Sequence, residues 1–526
     1  MAVHAPTQQD RILVENSALS GDQVQSEQRE AEPQHTTTGF SRRGAFALLG
    51  AALAPVLAAP RKAHAQPVAT APADVDPSAD WLLMKLVDRI TFGANQEEQA
   101  LARSLGYEGY LEYHLNHTAI VDTDADARMA SYPIYGQTFA QLIATGATVV
   151  RQQLMEARLM RGLLSKRQLF ERIVDMWTNH FAIYVFENDT VAYLKVADDT
   201  NVIRTHALGT FPNMLIASAH SPAMLHYLDN TASTATQPNE NYARELMELH
   251  TLSVSGGYTQ NDVIALSKIL SGWSFESRSA QPTYGQFRYI SGNHNTQPKT
   301  FLGVNFPGNQ GQAEGDTALN MLINHASTAR FVASKLCLEF LGENTPDAVV
   351  TDIANVYTQT NGDIKAMLRR VLRPERLAAA PRKLKRPMHL FISSLRTLPV
   401  TVNALNGLRA QLQPVQHQPF SWGAPDGYPD RAEYWQGNFL PRMNWGSTVA
   451  SNAVAGMVLD LTSFYNGATA SAQQVVDRIN ERCMLGRMLD IEKSELLQYI
   501  GTGTPTLTKR TDALAIALGG PTFQWY

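Results

Sequence analysis

The chain has 526 residues, 44% of them hydrophobic and 17% charged, which is ample for a large folded core and excludes a disordered protein. Its 44 basic and 48 acidic residues leave a net charge of -4, so no global field favours nucleic acid as a partner. Two cysteines, Cys337 and Cys483, exclude a disulfide framework and any cysteine-rich zinc or iron-sulfur centre.

The first forty or so residues are polar and lack hydrophobic periodicity. Ser41-Arg42-Arg43 then precedes a short, alanine-rich apolar run, with Arg61, Lys62 and Ala63-His64-Ala65 behind it. Paired arginines, a weakly hydrophobic core and a small-x-small site are the marks of a twin-arginine signal over residues 1–65, cleaved after Ala65. The expectation is an exported chain, periplasmic or secreted, whose export machinery reads Arg42 and Arg43. No later run is long and apolar enough to span a membrane. Residues 66–80, rich in Pro, Ala and Asp, read as a linker.

From residue 81 the pattern is helical. Leu82, Leu83, Leu86, Val87 and Ile90 recur at helical spacing up to Gly93, and Leu101, Leu105, Tyr110, Leu111 and Leu115 repeat it. Residues 139–184 continue in this style and end on Asn179-His180 among large apolar neighbours, where an imidazole must be hydrogen-bonded or ligate something. The alternating aspartates at 122–126 and the frame from Asp229 to Glu240 both lack the glycine of a calcium loop.

Residues 229–259 carry the densest set of ionisable and amide side chains. A helix is expected from about residue 240 to 252, capped by Asn239 and stopped at Gly256-Gly257. A 100° wheel puts Asn241, Glu245, Glu248 and Leu252 on one face and His250 opposite, with Arg244 able to pair with Glu248. Exposed, that face is a solvated helix; buried, its carboxylates need an arginine, a metal or a shared proton. Further on, Phe287-Arg288-Tyr289-Ile290 and Lys299-Thr300-Phe301-Leu302 are expected to pair as a hairpin with His294 at its tip. The basic run from Arg369 to Arg386 reads first as a solvated face, next as a partner of an anionic surface or of an internal carboxylate set, and last as a nucleic-acid contact. Residues 421–438, rich in Gly, Pro and aromatics, form a loop too long for a mere connector. The Gly-x-Ser-x-Gly, His-Glu-x-x-His, Gly-x-Gly-x-x-Gly, Cys-x-x-Cys and phosphate-loop motifs are absent from the sequence.

The segment NENYARELMELHTL at 239–252, followed by Gly257-Tyr258-Thr259, resembles the hallmark of the bacterial domain-of-unknown-function family numbered eighteen hundred. Further matches are Arg89-Ile90-Thr91-Phe92-Gly93, 177–181, 220–230, Ser271-Gly272-Trp273, 328–335, Trp422-Gly423 with Asp426-Gly427, and Pro521-Thr522-Phe523-Gln524, so the resemblance spans about residues 80–525. It implies an exported, largely helical protein and carries no agreed activity. Ser253-Val254-Ser255 departs from the family, which tends toward glycine there.

The sequence therefore predicts an all-α fold over residues 81–526, in two packed helical lobes at about 81–275 and 310–526 with a small β-hairpin insertion. The expected site gathers Asn179, His180, Arg244, Glu245, Glu248 and His250, with Asp229, Asn230, Glu240 and Asn241 as substrate contacts. Glu245 and Glu248 would serve as acid and base, or as oxygen ligands of a divalent metal, with His180 or His250 as proton carrier or nitrogen ligand. The rival reading is a non-catalytic envelope protein in which the same side chains form a buried packing network.

Overall fold

The apolar spacing of residues 82–90 becomes α1 (Asp80–Ile90), with Leu82, Leu83, Leu86, Val87 and Ile90 all buried. The structure, a computed structural model, describes residues 78–526. The signal and nearly all of the linker lie outside the described residues. α1 packs on α2 (Gln96–Leu115). Tyr110, Leu111 and Leu115 are buried as expected, whereas Leu105 is exposed, because Gly106 interrupts the helix at φ 68° and rotates the preceding turn away from the core. Next in the set that matters here are α3 (Gln168–His180), α4 (Glu240–Glu245), α5 (Ala326–Phe340) and α6 (Pro387–Thr397).

The fold is mostly helical, and the strands among the described residues make three two-stranded antiparallel sheets. β1 (Trp273–Phe275) pairs with β2 (Phe287–Tyr289), β3 (Lys299–Phe301) with β4 (Val304–Phe306), and β5 (Val400–Val402) with β6 (Met457–Leu459). The expected pairing of residues 287–290 with 299–302 does not form. Leu302 and Gly303 both adopt positive φ, 46° and 77°, the requirement of a two-residue hairpin turn, so β3 folds straight back on β4. His294 consequently leaves the hairpin tip and is buried, its Nδ1 3.0 Å from the Ser271 carbonyl and its Nε2 3.5 Å from Glu314.

Buried apolar side chains gather in three clusters. The largest takes residues from α1, α2, α3, α4 and α5; the second joins Phe92 and α6 to the C-terminal helices; the third is small and holds Val150, Leu154, Val185 and Phe420. Phe420 pins the start of the long aromatic loop, with its carbonyl accepting from the Val185 N–H at 3.1 Å. Cys337 and Cys483 are separate buried thiols. No described helix is long and apolar enough to cross a membrane.

Candidate functional site

Asn239 caps α4 as its residue type suggests, its Oδ1 accepting from the Asn241 N–H at 2.8 Å. After Glu245 the helix widens into π turns over Leu246–Thr251, where the Leu252 N–H reaches back to the Met247 carbonyl at 2.7 Å. Widened turns of this kind recur at functional sites. The added residue rotates everything after it, so Leu252 is buried instead of sharing the Glu245 and Glu248 face. Ser253 then takes φ 66°, the left-handed conformation for which glycine is the usual residue.

The structure divides the expected residues. Glu245 and Glu248 sit together, half-buried; burial and then Glu248 push the Glu245 carboxyl up, with Arg244 opposing and Asp426 adding to the rise. The Tyr258 hydroxyl donates to Glu248 Oε2 at 3.3 Å. Arg244 turns backwards to Glu240, at 3.1 Å, and to Gln260, at 3.0 Å, leaving Glu248 to Tyr258. Asn241 and Asp229 are exposed, Asp229 at φ 60°. Asn230 is buried and its Nδ2 donates to the Leu270 and Trp273 carbonyls at 3.1 and 2.9 Å, bonds that fix the chain entering β1.

His180 and His250 meet on the inner side of the π turns, ring centroids 6.0 Å apart. His180 Nε2 lies 3.1 Å from the His250 carbonyl oxygen. A carbonyl only accepts, so that nitrogen carries the proton and Nδ1 is left with a bare lone pair. Among the described residues, His180 Nδ1 and both nitrogens of His250 have no partner. Burial, reinforced by Lys335, holds His250 down at about 3 and His180 well below its ordinary value, so both imidazoles are neutral at pH 7.

Asn179, the residue before His180, clasps the aromatic loop. Its Nδ2 donates to the Tyr428 carbonyl at 2.8 Å and its Oδ1 accepts from the Tyr428 N–H at 2.6 Å. The approach requires Gly427, at φ 75°, because a Cβ there would lie 2.1 Å from the Asn179 carbonyl oxygen. Asn179→Ala leaves both Tyr428 backbone groups unpaired, and the expected result is faster protease cleavage within residues 418–431 with a stability loss of about 1–3 kcal/mol. Limited proteolysis with peptide mapping and a denaturant titration read the two effects; cleavage at the wild-type rate would show that the clasp does not hold the loop.

Beside the clasp opens a cleft of about 260 Å³ lined by Asn179, His180, Lys335, Glu339, Arg386 and the loop residues 426–431. Lys335 and Glu339 stand one turn apart on α5, a spacing that ordinarily pairs them. Here the Glu339 oxygens are taken by Arg172 and, at 3.7 and 3.8 Å, by Lys383 and Arg386. Lys335 therefore makes no hydrogen bond or ion pair among the described residues; its amine lies 5.1 Å from the Phe331 ring centroid. Burial lowers its pKa, against the pull of Asp430 and Asp426. Asp426, whose Oδ1 accepts from Trp422 Nε1 at 2.7 Å, acts on both Lys335 and Glu245 and so links the cleft to the signature helix. Among the described residues no three His, Cys, Asp or Glu side chains come together as a metal-ligand set.

For the charges beneath the cleft, sequence reasoning ranked a solvated face above the internal carboxylate set that forms. Lys383, Lys385 and Arg386, expected as part of a solvated basic face, are buried. Lys383 meets Asp430 at 2.5 Å, Arg386 meets Asp175 at 2.9 Å, and Arg172 joins Glu339, the Tyr526 hydroxyl at 3.0 Å and His389 at 2.5 Å. Lys385 lies 3.7 Å from Asp88, so the counter-ions are scattered from residue 88 to residue 430, and nothing local in the basic run announces them. Lys335 and Asp426 do leave a signal, since both fall in segments carrying the family resemblance.

A family model described as "Protein of unknown function (DUF1800)" matches residues 85–525. No curated protein and no solved structure matches the chain.

Proposed function

The chain belongs to the DUF1800 family, and from that premise we propose that it is an exported, periplasmic enzyme working by proton transfer in the cleft beside the family's signature helix. The family description carries no activity, so the reading stands on side chains. The observation that carries it is convergence: α3, α5 and the aromatic loop bring His180, Lys335 and Asp426 to one opening next to the signature helix, where His180 Nδ1 has no hydrogen-bond partner and Lys335 has no hydrogen bond or ion pair among the described residues. His180, neutral and with its tautomer fixed by the His250 carbonyl, is the proton acceptor. Glu245, its carboxyl raised by burial and by Glu248, is the acid, and the Asp426 carboxylate of the cleft adds to that rise. Environments that push titratable groups apart in this way are how one site holds both an acid and a base near neutral pH. Arg42 and Arg43, ahead of the small-x-small site, support export.

The rival, a non-catalytic envelope protein, has one observation in its favour: Arg172, Lys383 and Arg386 are already matched by Glu339, Asp430 and Asp175 without any ligand. One experiment separates the readings. The mature chain, recovered from the periplasmic fraction, is incubated with small-molecule extract of the producing cells, and compounds consumed or formed are followed by mass spectrometry. Glu245→Gln should slow those changes by about 10²-fold at an unchanged denaturation midpoint. Identical profiles for the two proteins, or no change with either, would leave the envelope reading standing. Recovery from the periplasm should be lost when Arg42 and Arg43 are both lysine, and export that persists would sink that half of the proposal.

A further inference from the structure

We propose that Lys335 is a covalent catalytic residue, its amine capturing the carbonyl carbon of an aldehyde or ketone substrate as an imine. The inference rests on the reading of the cleft as a proton-transfer site and names the class of compound that site takes.

Three features of the structure support it. First, the amine faces a cleft of about 260 Å³ and has no hydrogen-bond or ion-pair partner among the described residues, although an acid stands one turn away. Buried lysines that serve structure spend their protons, and this chain supplies the comparison. Lys85 donates to the Ala380 carbonyl at 2.6 Å and to the Ala378 carbonyl at 3.4 Å, Lys383 donates to the Leu338 and Glu339 carbonyls as well as to Asp430, and Lys299 donates to Glu314 at 2.5 Å. Lys335 has nothing of the kind. Second, burial lowers its pKa more than Asp430 and Asp426 raise it, which increases the share of uncharged amine, the form that alone carries the lone pair that attacks a carbonyl, while the Phe331 ring beneath it works the other way. Third, residues that accept and carry protons line the same cleft, namely His180, whose Nδ1 has no hydrogen-bond partner, Asp426, and Asp430, which is shared with Lys383.

The step balances without an outside oxidant or reductant. The nitrogen lone pair forms the C–N bond as the carbonyl π pair moves to oxygen, and one proton passes from nitrogen to that oxygen, giving a carbinolamine. Loss of the hydroxyl with a second proton from nitrogen releases water and leaves the C=N bond. One proton taken up from solvent makes the imine an iminium ion, which draws electrons from the adjacent carbon, and that is what a neighbouring base such as His180 needs in order to remove a proton there.

Reductive trapping tests it on the mature chain at pH 7.5. Pyruvate, or propanal as an uncharged probe, is added with sodium cyanoborohydride, and modified lysines are located by peptide mass spectrometry over time. Lys335 should be modified at least tenfold faster than the exposed Lys166, and Lys85, lowered to about 7 by burial but outside the cleft, should be no faster than Lys166. Modification of Lys335 at or below the Lys166 rate with both probes overturns the inference, as does trapping confined to Lys85. Trapping does not require the natural substrate, so the two proposals fail separately. Glu245-dependent consumption without trapping keeps the proton-transfer reading and removes the imine, whereas trapping without any consumption does the reverse.

Discussion

Replacing Glu339 with glutamine should cost about 3–5 kcal/mol of stability, the largest effect expected of any single substitution in the network beneath the cleft. Glu339 is 4% exposed, as are few carboxylates in any protein, and it answers three cations: Arg172 at one oxygen, Lys383 and Arg386 at the other. Burial works to raise its carboxyl, but Lys383, Arg172 and Arg386 outweigh burial and hold it below its ordinary value. The amide keeps the shape and removes the charge. Arg172, 1% exposed, then loses its carboxylate counter-ion and is left with the Tyr526 hydroxyl, the His389 ring and a neutral amide as partners. The cost is that of an uncompensated buried guanidinium, which exceeds the net worth of the pair itself. The double variant Arg172→Met with Glu339→Leu should recover at least about 2 kcal/mol of the loss, because an apolar pair of similar volume carries no such charge. Denaturant midpoints at constant m-value read both. A loss under about 1 kcal/mol for Glu339→Gln would mean that water reaches these cations and that the network is not a sealed one.

That network marks the limit of what the sequence discloses. Helical periodicity finds α1 and its buried face because the information is local: a residue's neighbours at three and four positions determine which side it lies on. The same rule places His250 opposite Glu245, and the structure agrees, since His250 is wholly buried while Glu245 is half-buried. It fails for Leu252, because a wheel assumes 3.6 residues per turn and the widened turns over Leu246–Thr251 do not keep that count. Lys383, Lys385 and Arg386 escape it for a different reason. A cluster of basic residues is solvated unless acids from elsewhere come to it, and Asp88, Asp175, Glu339 and Asp430 come from four other segments. The aromatic loop sits between these cases. Its length and composition mark it as more than a connector, but only Asn179, 249 positions before Tyr428, shows what holds it in place. Asn179 and His180 stand side by side in the sequence, and the structure gives them separate tasks, one clasping the loop and the other meeting the His250 carbonyl.

Folding stability should fall steeply between pH 6.5 and 4.5, before the carboxylates titrate. His250 is held at about 3 by burial and by Lys335, against 6.5 for an ordinary imidazole. The unfolded chain therefore takes up a proton that the folded chain refuses. Above pH 6.5 both states are neutral at this position and nothing is lost. Below it, stability drops by about 1.4 kcal/mol per pH unit, or roughly 2.7 kcal/mol from His250 alone by pH 4.5. His180, His389 and His417 are each buried and held well below their ordinary value, burial being the largest cause in all three, so they act in the same direction. Together they steepen the fall beyond the one-proton slope of His250. The acids occupy a lower window. Glu171 is pulled down to about 2, burial being outweighed by Arg204, which it meets at 2.6 and 2.9 Å, and by Arg158; its contribution is intact above its ordinary 4.5 and disappears as pH falls toward 2. Denaturant midpoints from pH 7.5 to 4.5 measure the slope. His250→Leu isolates one contribution, because neither ring nitrogen has a partner among the described residues to lose: at pH 7.5 the variant should stay within about 1.5 kcal/mol of wild type, and near pH 5 it should take up one proton fewer on unfolding. A midpoint that stays flat between pH 7 and 5 would mean that these imidazoles are reached by water and already charged in the fold, and His180 would then lose the neutral lone pair on which the proton-transfer reading depends.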